Sequence, residues 1–457
     1  MAGISIQLNK ILKKSGLTNL LAATAYSAVL SSGNWIIAVV SIFVSSTLSH
    51  KFAKTPDTTI IYQIYITYTL AISLIVSGPL QLMFTRYIAD KFFKKRFDEI
   101  LPNYLGAVVS VMGYSFVVSV ILSFYFFKSL PCYYHLIFSC TISTLSGVWI
   151  TNALLSGLKS YKYILFSFAF SYLFIGISFF FTSKLEVIWT FVSFYAGQIV
   201  LLCLLMIRVI LDYPSKKLFS LEFWYKRKSY YSLLLSGLFY NIGIWADKFI
   251  FWFNPVTGKP VFGNLRASVM YDIPIILAYI CLIPGIAVFF LKLEVEFASS
   301  YDNYFNAVRS WGKLEDLYRL ANKMIDNVRT TLYDTLRVQG IGGVLIFFFE
   351  EKIFKFFNLP SIYIPLFNIL LVGAILQLAF MVIFAILSYF DRRRDLAIIS
   401  FIFALGNLIF TMITQFLGPY YYGYGFALSV LIAVLIGMLR LRRFLNEVHY
   451  RTFVFIS

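Results

Sequence analysis

The sequence predicts an all-α polytopic membrane protein whose twelve transmembrane helices form two six-helix lobes. Three observations predict it. Mean hydropathy is +0.80, with 60% hydrophobic and only 13% charged residues, more apolar than a soluble domain needs. Apolar runs recur along the chain, each reaching the ~18 residues that can cross a bilayer as a helix. The basic residues are also sorted. With loops assigned alternately to two sides, 30 of the 39 Lys and Arg fall on one side, the side that faces the cytoplasm. Both termini are therefore expected in the cytoplasm. The net charge of +18 encodes orientation and some affinity for anionic lipid heads; its placement is not that of a nucleic-acid footprint.

Residues 1–16 put Ile4, Leu8, Ile11 and Leu12 on one helical face, which suits an amphipathic segment on the cytoplasmic surface. No small-x-small cleavage site follows, so an uncleaved first helix is expected. Residues 17–212 hold helices one to six, at about 18–48, 60–86, 104–127, 134–157, 164–183 and 187–211. Span one carries Ser31, Ser32, Gly33, Asn34 and Trp35 near its middle, and span two has a Gly78–Pro79 kink with Arg86 just beyond. The charged, proline-containing stretch 213–230 reads as a cytoplasmic linker between the lobes. Residues 231–445 hold helices seven to twelve, and 446–457 form a cytoplasmic tail. A weak echo, YSAVLSSG at 26–33 and YSLLLSG at 231–237, fits an internal duplication such as secondary transporters carry.

The second half opens with a hairpin of two apolar runs flanking a Pro/Gly-rich loop, Asn254–Gly263. The first run contains Asn241, Trp245, Asp247 and Lys248. The second starts at Asp272 and holds Pro274 and Pro284–Gly285. A charge inside a bilayer costs about 2.5–3.5 kcal/mol even on lenient scales, and proline frees backbone carbonyls that a neighbour must satisfy. Two readings stand side by side: the hairpin walls a polar pathway, or Asp247 and Lys248 lie near a membrane face and snorkel. After span eight comes a polar cytoplasmic insert, 293–335. Tyr301, Tyr304 and Trp311, then Leu317 and Met324, recur at helical spacing, as in two amphipathic helices. Those five side chains are the expected docking surface for a partner; the competing reading is that the insert lies on the membrane.

No catalytic constellation is present. There is no GxSxG elbow, and Gly258–Lys259 lacks the first glycine and the Ser/Thr of a phosphate-binding loop. Cys132, Cys140, Cys203 and Cys281 form no CxxC pair, and His50, His135 and His449 are scattered, so neither metal nor cofactor is expected. What remains is a set of intramembrane polar residues: Asn34, Asn152, Gln198, Asn241, Asp247, Asn368, Gln377, Asn407 and Gln415. Amides both donate and accept, which suits hydroxyl-rich neutral substrates, and Trp35, Tyr240 and Trp245 lie close to them. The alternative is that each amide ties one helix to another. The expected substrate-pathway residues are Asn34, Trp35, Arg86, Asn152, Asn241, Trp245, Asp247, Lys248 and Asp272.

Three stretches carry a family resemblance: the opening MAGISIQLNKILKK with YSAVLSSGNWI, the long LFYNIGIWADKFIFWFNPVTGKPVFGNLRASVMYDIPIILAYICLIPGIAVFFLKLEVEF, and SYDNYFNAVR. The chain resembles Pel-type exopolysaccharide transporters in the polysaccharide branch of the MOP flippase superfamily, over essentially its whole length. The resemblance implies a MATE-like pair of lobes facing a cavity in a bacterial cytoplasmic membrane. It further implies passage of an N-acetylhexosamine-rich polymer made by a cytosolic glycosyltransferase, with other Pel-type, cyclic-di-GMP-responsive membrane subunits as partners. A cation-coupled small-molecule antiporter is the alternative, and a membrane-embedded glycosyl ligase a distant third.

Overall fold

The computed structural model describes residues 57–448 except Lys226 and Trp311, with Thr24, 26–30, Gly33, 36–42, Val44 and Tyr450; the side chains of 227–229 are not described. Among the described residues, ten helical stretches are long and apolar enough to cross a membrane. The chain is an all-α, multi-pass membrane protein.

Gly33–Val269 form one compact unit. Its helices are α1 (Thr58–Phe93), α2 (Ile100–Phe126), α3 (Cys132–Gly157), α4 (Tyr161–Thr182), α5 (Val187–Asp212) and α6 (Arg227–Phe253), followed by strands β1 (Lys259–Phe262) and β2 (Leu265–Ala267). The second unit is built on Met270–Ser457. It contains nearly all of α7 (Val269–Ile280), then α8 (Ile283–Leu291), a π-helical segment Lys292–Phe297, α9 (Ala298–Arg309), α10 (Leu314–Phe356), α11 (Ile364–Tyr389), α12 (Arg393–Leu417) and α13 (Tyr424–Asn446).

Sequence spans two to six are α1 to α5. Span one lies mostly outside the described residues, as does the amphipathic segment 1–16. Span seven is α6, a helix of 27 residues. The packing boundary, however, falls at Val269/Met270 and not in the expected linker 213–230. The reason is a backbone contact. A Cβ on Gly237 of α6 would lie 2.1 Å from the Gly78 carbonyl oxygen of α1, and one on Gly78 would lie 2.7 Å from the Gly237 oxygen. Two facing glycines let the helices meet backbone to backbone, which fixes α6 in the first unit.

Three buried tyrosines on α1, spaced by one helical turn, hold the rest of that unit. Tyr62 stacks on Phe179 of α4 at 4.1 Å, Tyr65 on Phe191 of α5 at 3.8 Å, and Tyr68 on Trp252 of α6 at 4.7 Å. Their hydroxyls are the difficulty of burying tyrosine. Tyr65 shares a 2.7 Å hydrogen bond with Thr141, and Tyr68 donates to the Arg266 carbonyl at 2.9 Å. Pro79 cannot donate within α1 and opens its rungs; one turn back, the Tyr114 hydroxyl donates to the Val76 carbonyl at 2.7 Å.

The Pro/Gly-rich loop is more ordered than its composition predicts. β1 and β2 pair antiparallel, Lys259 opposite Ala267. The turn residue Asn264 donates from its backbone N–H to the Phe126 oxygen at 2.8 Å and from its side chain to the Tyr125 oxygen at 2.7 Å. Those carbonyls are orphans of the α2 C-terminus. Gly263, at φ +57°, has Phe126 O 2.6 Å from where a Cβ would sit, so the turn needs glycine on both counts.

In the second unit the amphipathic insert is present as α9 and the first half of α10. The ninth span, expected from its apolar run at about 336–350, is not a separate helix. α10 runs unbroken for 43 residues, about 64 Å at 1.5 Å per residue, roughly twice a hydrocarbon core. One face is buried along much of this length, at Leu317, Ala321, Met324, Val328, Thr331, Thr335, Gln339 and Gly343. At the end carrying the arginines, Asp395 is buried and clamped from two sides, by Arg392 at 2.8 Å and by Arg440 at 2.7 Å.

Overpacking at a tight crossing costs about 1–3 kcal/mol or more. Gly237→Val is therefore expected to lower the melting temperature of the detergent-solubilised protein and broaden its gel-filtration peak. Gly113→Val, at a glycine with nothing within 4 Å of its Cβ position, serves as the silent control.

Candidate functional site

Helix α6 carries four of the nine expected pathway residues, Asn241, Trp245, Asp247 and Lys248. Asn241 and Trp245 follow Gly237 at successive four-residue steps, so all three share one face, and Lys248 falls close to that stripe. At its lower end the face is the glycine crossing itself: Asn241 lies against Gly78 and donates its amide to the Gly237 carbonyl at 2.9 Å. Higher up, Asp247 and Lys248 are both buried, at 0% and 4% exposure. The Lys248 ammonium donates to both Asp247 carboxylate oxygens at 3.1 and 3.2 Å and to the Ile244 carbonyl at 2.7 Å. It also lies 5.9 Å from the centre of the Trp245 ring, within cation–π range. The charges neutralise each other inside the helix bundle, which replaces the snorkelling reading. The Trp245 indole N–H has no hydrogen-bond partner among the described residues.

The other expected residues are dispersed. Asn34 and Trp35 lie outside the described residues. Asn152, on α3, has a buried side-chain oxygen with no partner among the described residues. Asp272 starts α7, in the second unit. Arg86 belongs to an ionic cluster at the end of α1: it pairs with Asp90 at 3.2 Å, and Asp90 accepts a 2.6 Å bond from Tyr230 of α6.

That cluster was not legible in sequence. Lys91, almost fully buried, donates to Glu99 and to Glu222, the latter at 3.1 Å, while Tyr87 donates to Glu222 at 3.2 Å. Glu222, within the expected linker, is thereby strapped to the end of α1.

The amide set divides. Asn407 accepts from Thr411 at 2.8 Å, a helix-stabilising role. Gln198 reaches Tyr172 only at 3.5 Å, and the side-chain oxygens of Gln198, Asn368 and Gln377 have no partner among the described residues. A buried orphan costs about 1–3 kcal/mol unless water or a hydroxyl meets it. Sequence reading passed over Gln339, whose amide bridges the break between α7 and α8: it donates to the Cys281 carbonyl at 3.0 Å and accepts from the Gly285 N–H at 3.2 Å. Its spacing from Leu317, Ala321 and Thr335 on the buried stripe was the available signal.

The expected docking side chains are not a surface. Tyr304, Leu317 and Met324 are buried where α9 and α10 close on each other, and Tyr301 packs against Phe297, Tyr389 and Phe390. Trp311 lies outside the described residues. The apolar spacing encodes the hairpin's own seam; the outward positions are Tyr318, Arg319, Lys323 and Arg329. Among the described residues, no group of three His, Cys, Asp or Glu side chains could hold a metal ion.

The sequence matches the family described as "PelG: Putative exopolysaccharide Exporter (EPS-E)" over residues 1–453. Comparison with curated proteins gives no match. Solved structures with a similar fold include a MATE protein in its straight conformation (TM-score 0.66, 11% identity, 93% of this chain and 96% of that one). A MOP superfamily transporter from Pyrococcus furiosus is similar at TM-score 0.65 and 11% identity, over 92% and 96% of the two chains. An outward-facing multidrug-resistance MATE transporter is similar at 0.64 and 12%, over 93% and 96%.

Removing one partner of a buried ion pair costs about 3–5 kcal/mol, because the other charge is stranded. Asp247→Asn and Lys248→Met are each expected to reduce membrane abundance severalfold on immunoblots. The double variant, which removes both members of the pair, is expected to recover most of it. If the recovered protein exports poorly, the pair belongs to the pathway; full export would make it a packing element.

Proposed function

The chain belongs to the PelG exopolysaccharide exporter family and is a membrane transport protein, and from that premise we propose that it carries a Pel-like, N-acetylhexosamine-rich polymer across the bacterial cytoplasmic membrane. The family match from residue 1 to 453 is the observation that carries this reading. The amide oxygens of Asn152, Gln198, Asn368 and Gln377, which have no partner among the described residues, support it, since they offer a hydroxyl-covered strand acceptors without a tight binding site. Both termini lie in the cytoplasm, consistent with the sorting of Lys and Arg.

A cytosolic glycosyltransferase, with cyclic-di-GMP-responsive membrane subunits, would feed the strand in, and chain growth would supply the drive. The partner would meet the outward face of the α9–α10 hairpin. The antiporter alternative needs a buried carboxylate that exchanges its partner for a proton or cation; Asp247 already has Lys248 at 3.1 Å.

Deletion of this chain alone, with the synthase intact, is expected to abolish secreted polymer and leave hexosamine-rich material inside the cell. Undiminished secretion, or uptake of a cationic dye driven by an ion gradient in vesicles holding only this protein, would overturn the reading. Reversing the charges of Arg319, Lys323 and Arg329 together is expected to abolish co-purification of the glycosyltransferase at unchanged membrane abundance; retained co-purification would place the contact elsewhere.

A further inference from the structure

We propose that Gln339 is a positioning residue for transport: its side-chain amide acts as a removable rung in span eight, and α10 lets the cytoplasmic hairpin control it. The inference rests on the family's transport activity and not on the identity of the polymer.

Span eight is broken between α7 and α8. Pro284 has no N–H, so the rung to Ile280 is lost. The next rung would run from the Gly285 N–H to the Cys281 carbonyl. These two groups do not meet. The Gln339 amide stands between them, its oxygen accepting from Gly285 at 3.2 Å and its nitrogen donating to Cys281 at 3.0 Å. Gln339 is 1% exposed, so no bulk water competes. A Cβ at 285 would sit 2.5 Å from the Gln339 oxygen and 2.5 Å from the end of the Leu378 side chain, so any larger residue there displaces one or both.

The geometry defines two ways of satisfying the same pair. With the amide inserted, the helix is held open. With it withdrawn, Gly285 and Cys281 are complementary and close the rung directly, leaving only the proline gap. Between those states both groups would be bare, which a membrane interior strongly disfavours. The element therefore switches between two arrangements and does not bend continuously.

The amide moves with α10. That helix grips span eight at two further points: Asp334 pairs with Lys292 at 3.0 Å, and Asn327 donates to the Glu296 carbonyl at 3.1 Å. Lys292 and Glu296 both lie in the π-helical segment, whose wider turn provides slack for a change of register. A slide of α10 by one residue's rise, about 1.5 Å, carries the Gln339 amide out of hydrogen-bond range of at least one partner. Because α10 is continuous from Leu314, a partner loading the hairpin acts on the break.

Nitroxide labels at exposed Ile276 and Ser299, in full-length protein lacking native cysteines and held in lipid nanodiscs, read the break by electron–electron distance. Wild type is expected to give one dominant distance. Gln339→Leu, which removes both hydrogen bonds, is expected to lengthen it toward the ~34 Å of uninterrupted helix and to cut polymer secretion at least fivefold at unchanged abundance. Gly285→Ala crowds the amide out from the other side and is expected to give the same shift, with no further shift in the double variant. Unchanged distances in both single variants, additive shifts, or a full shift with normal secretion would each overturn the proposal. A variant that loses its monodisperse gel-filtration peak leaves the other single variant to decide.

Discussion

Every backbone N–H and carbonyl inside a bilayer needs a partner, and this structure is most informative where proline breaks that rule. Pro79 opens α1, and the Tyr114 hydroxyl supplies a donor at Val76. Pro284 opens span eight, and the Gln339 amide supplies both a donor and an acceptor. The two repairs differ in kind. A hydroxyl added beside a kink decorates one carbonyl, whereas an amide inserted between two complementary groups can be replaced by their direct bond. The first therefore holds a shape, and the second permits a change.

The same constraint separates polar residues that build the protein from those available to a substrate. Asp395 between two arginines, Lys91 among Glu99, Glu222 and Tyr87, and Asp247 beside Lys248 are all matched within the protein. Matched groups of this type rigidify and orient. Buried amide oxygens without a partner among the described residues, as on Asn152 and Gln377, are a steady cost to stability. Such costs persist where function uses the group. For the polymer passage proposed above, many weak acceptors of this type would serve better than a few strong ones, which would stall a moving strand.

Hydropathy made the helices legible, and the amphipathic spacing of 293–335 correctly announced the α9–α10 hairpin. It misassigned the purpose of that spacing. Tyr304, Leu317 and Met324 repeat because two helices must cover each other, and an internal seam has the same period as a docking face. The unit boundary was misread for a related reason. A run of charge and proline at 213–230 looks like a linker, yet Gly78 and Gly237, 159 positions apart, decide where α6 packs. Single glycines carry no periodic signal, and neither does one glutamine whose importance depends on a proline in another helix.

The small β-hairpin has a practical consequence. It packs on the end of the first unit away from the Lys91 cluster, anchored by Tyr68, by the α2 terminus, by Phe262 against Phe127 and Tyr134, and by the Arg266 guanidinium on the Gly258 carbonyl at 2.6 Å. Val256 beside it is 83% exposed. Membrane proteins of this size offer few rigid landmarks outside the detergent belt for electron microscopy. An antibody fragment raised against this knob would serve as a fiducial that moves with the first unit as one body.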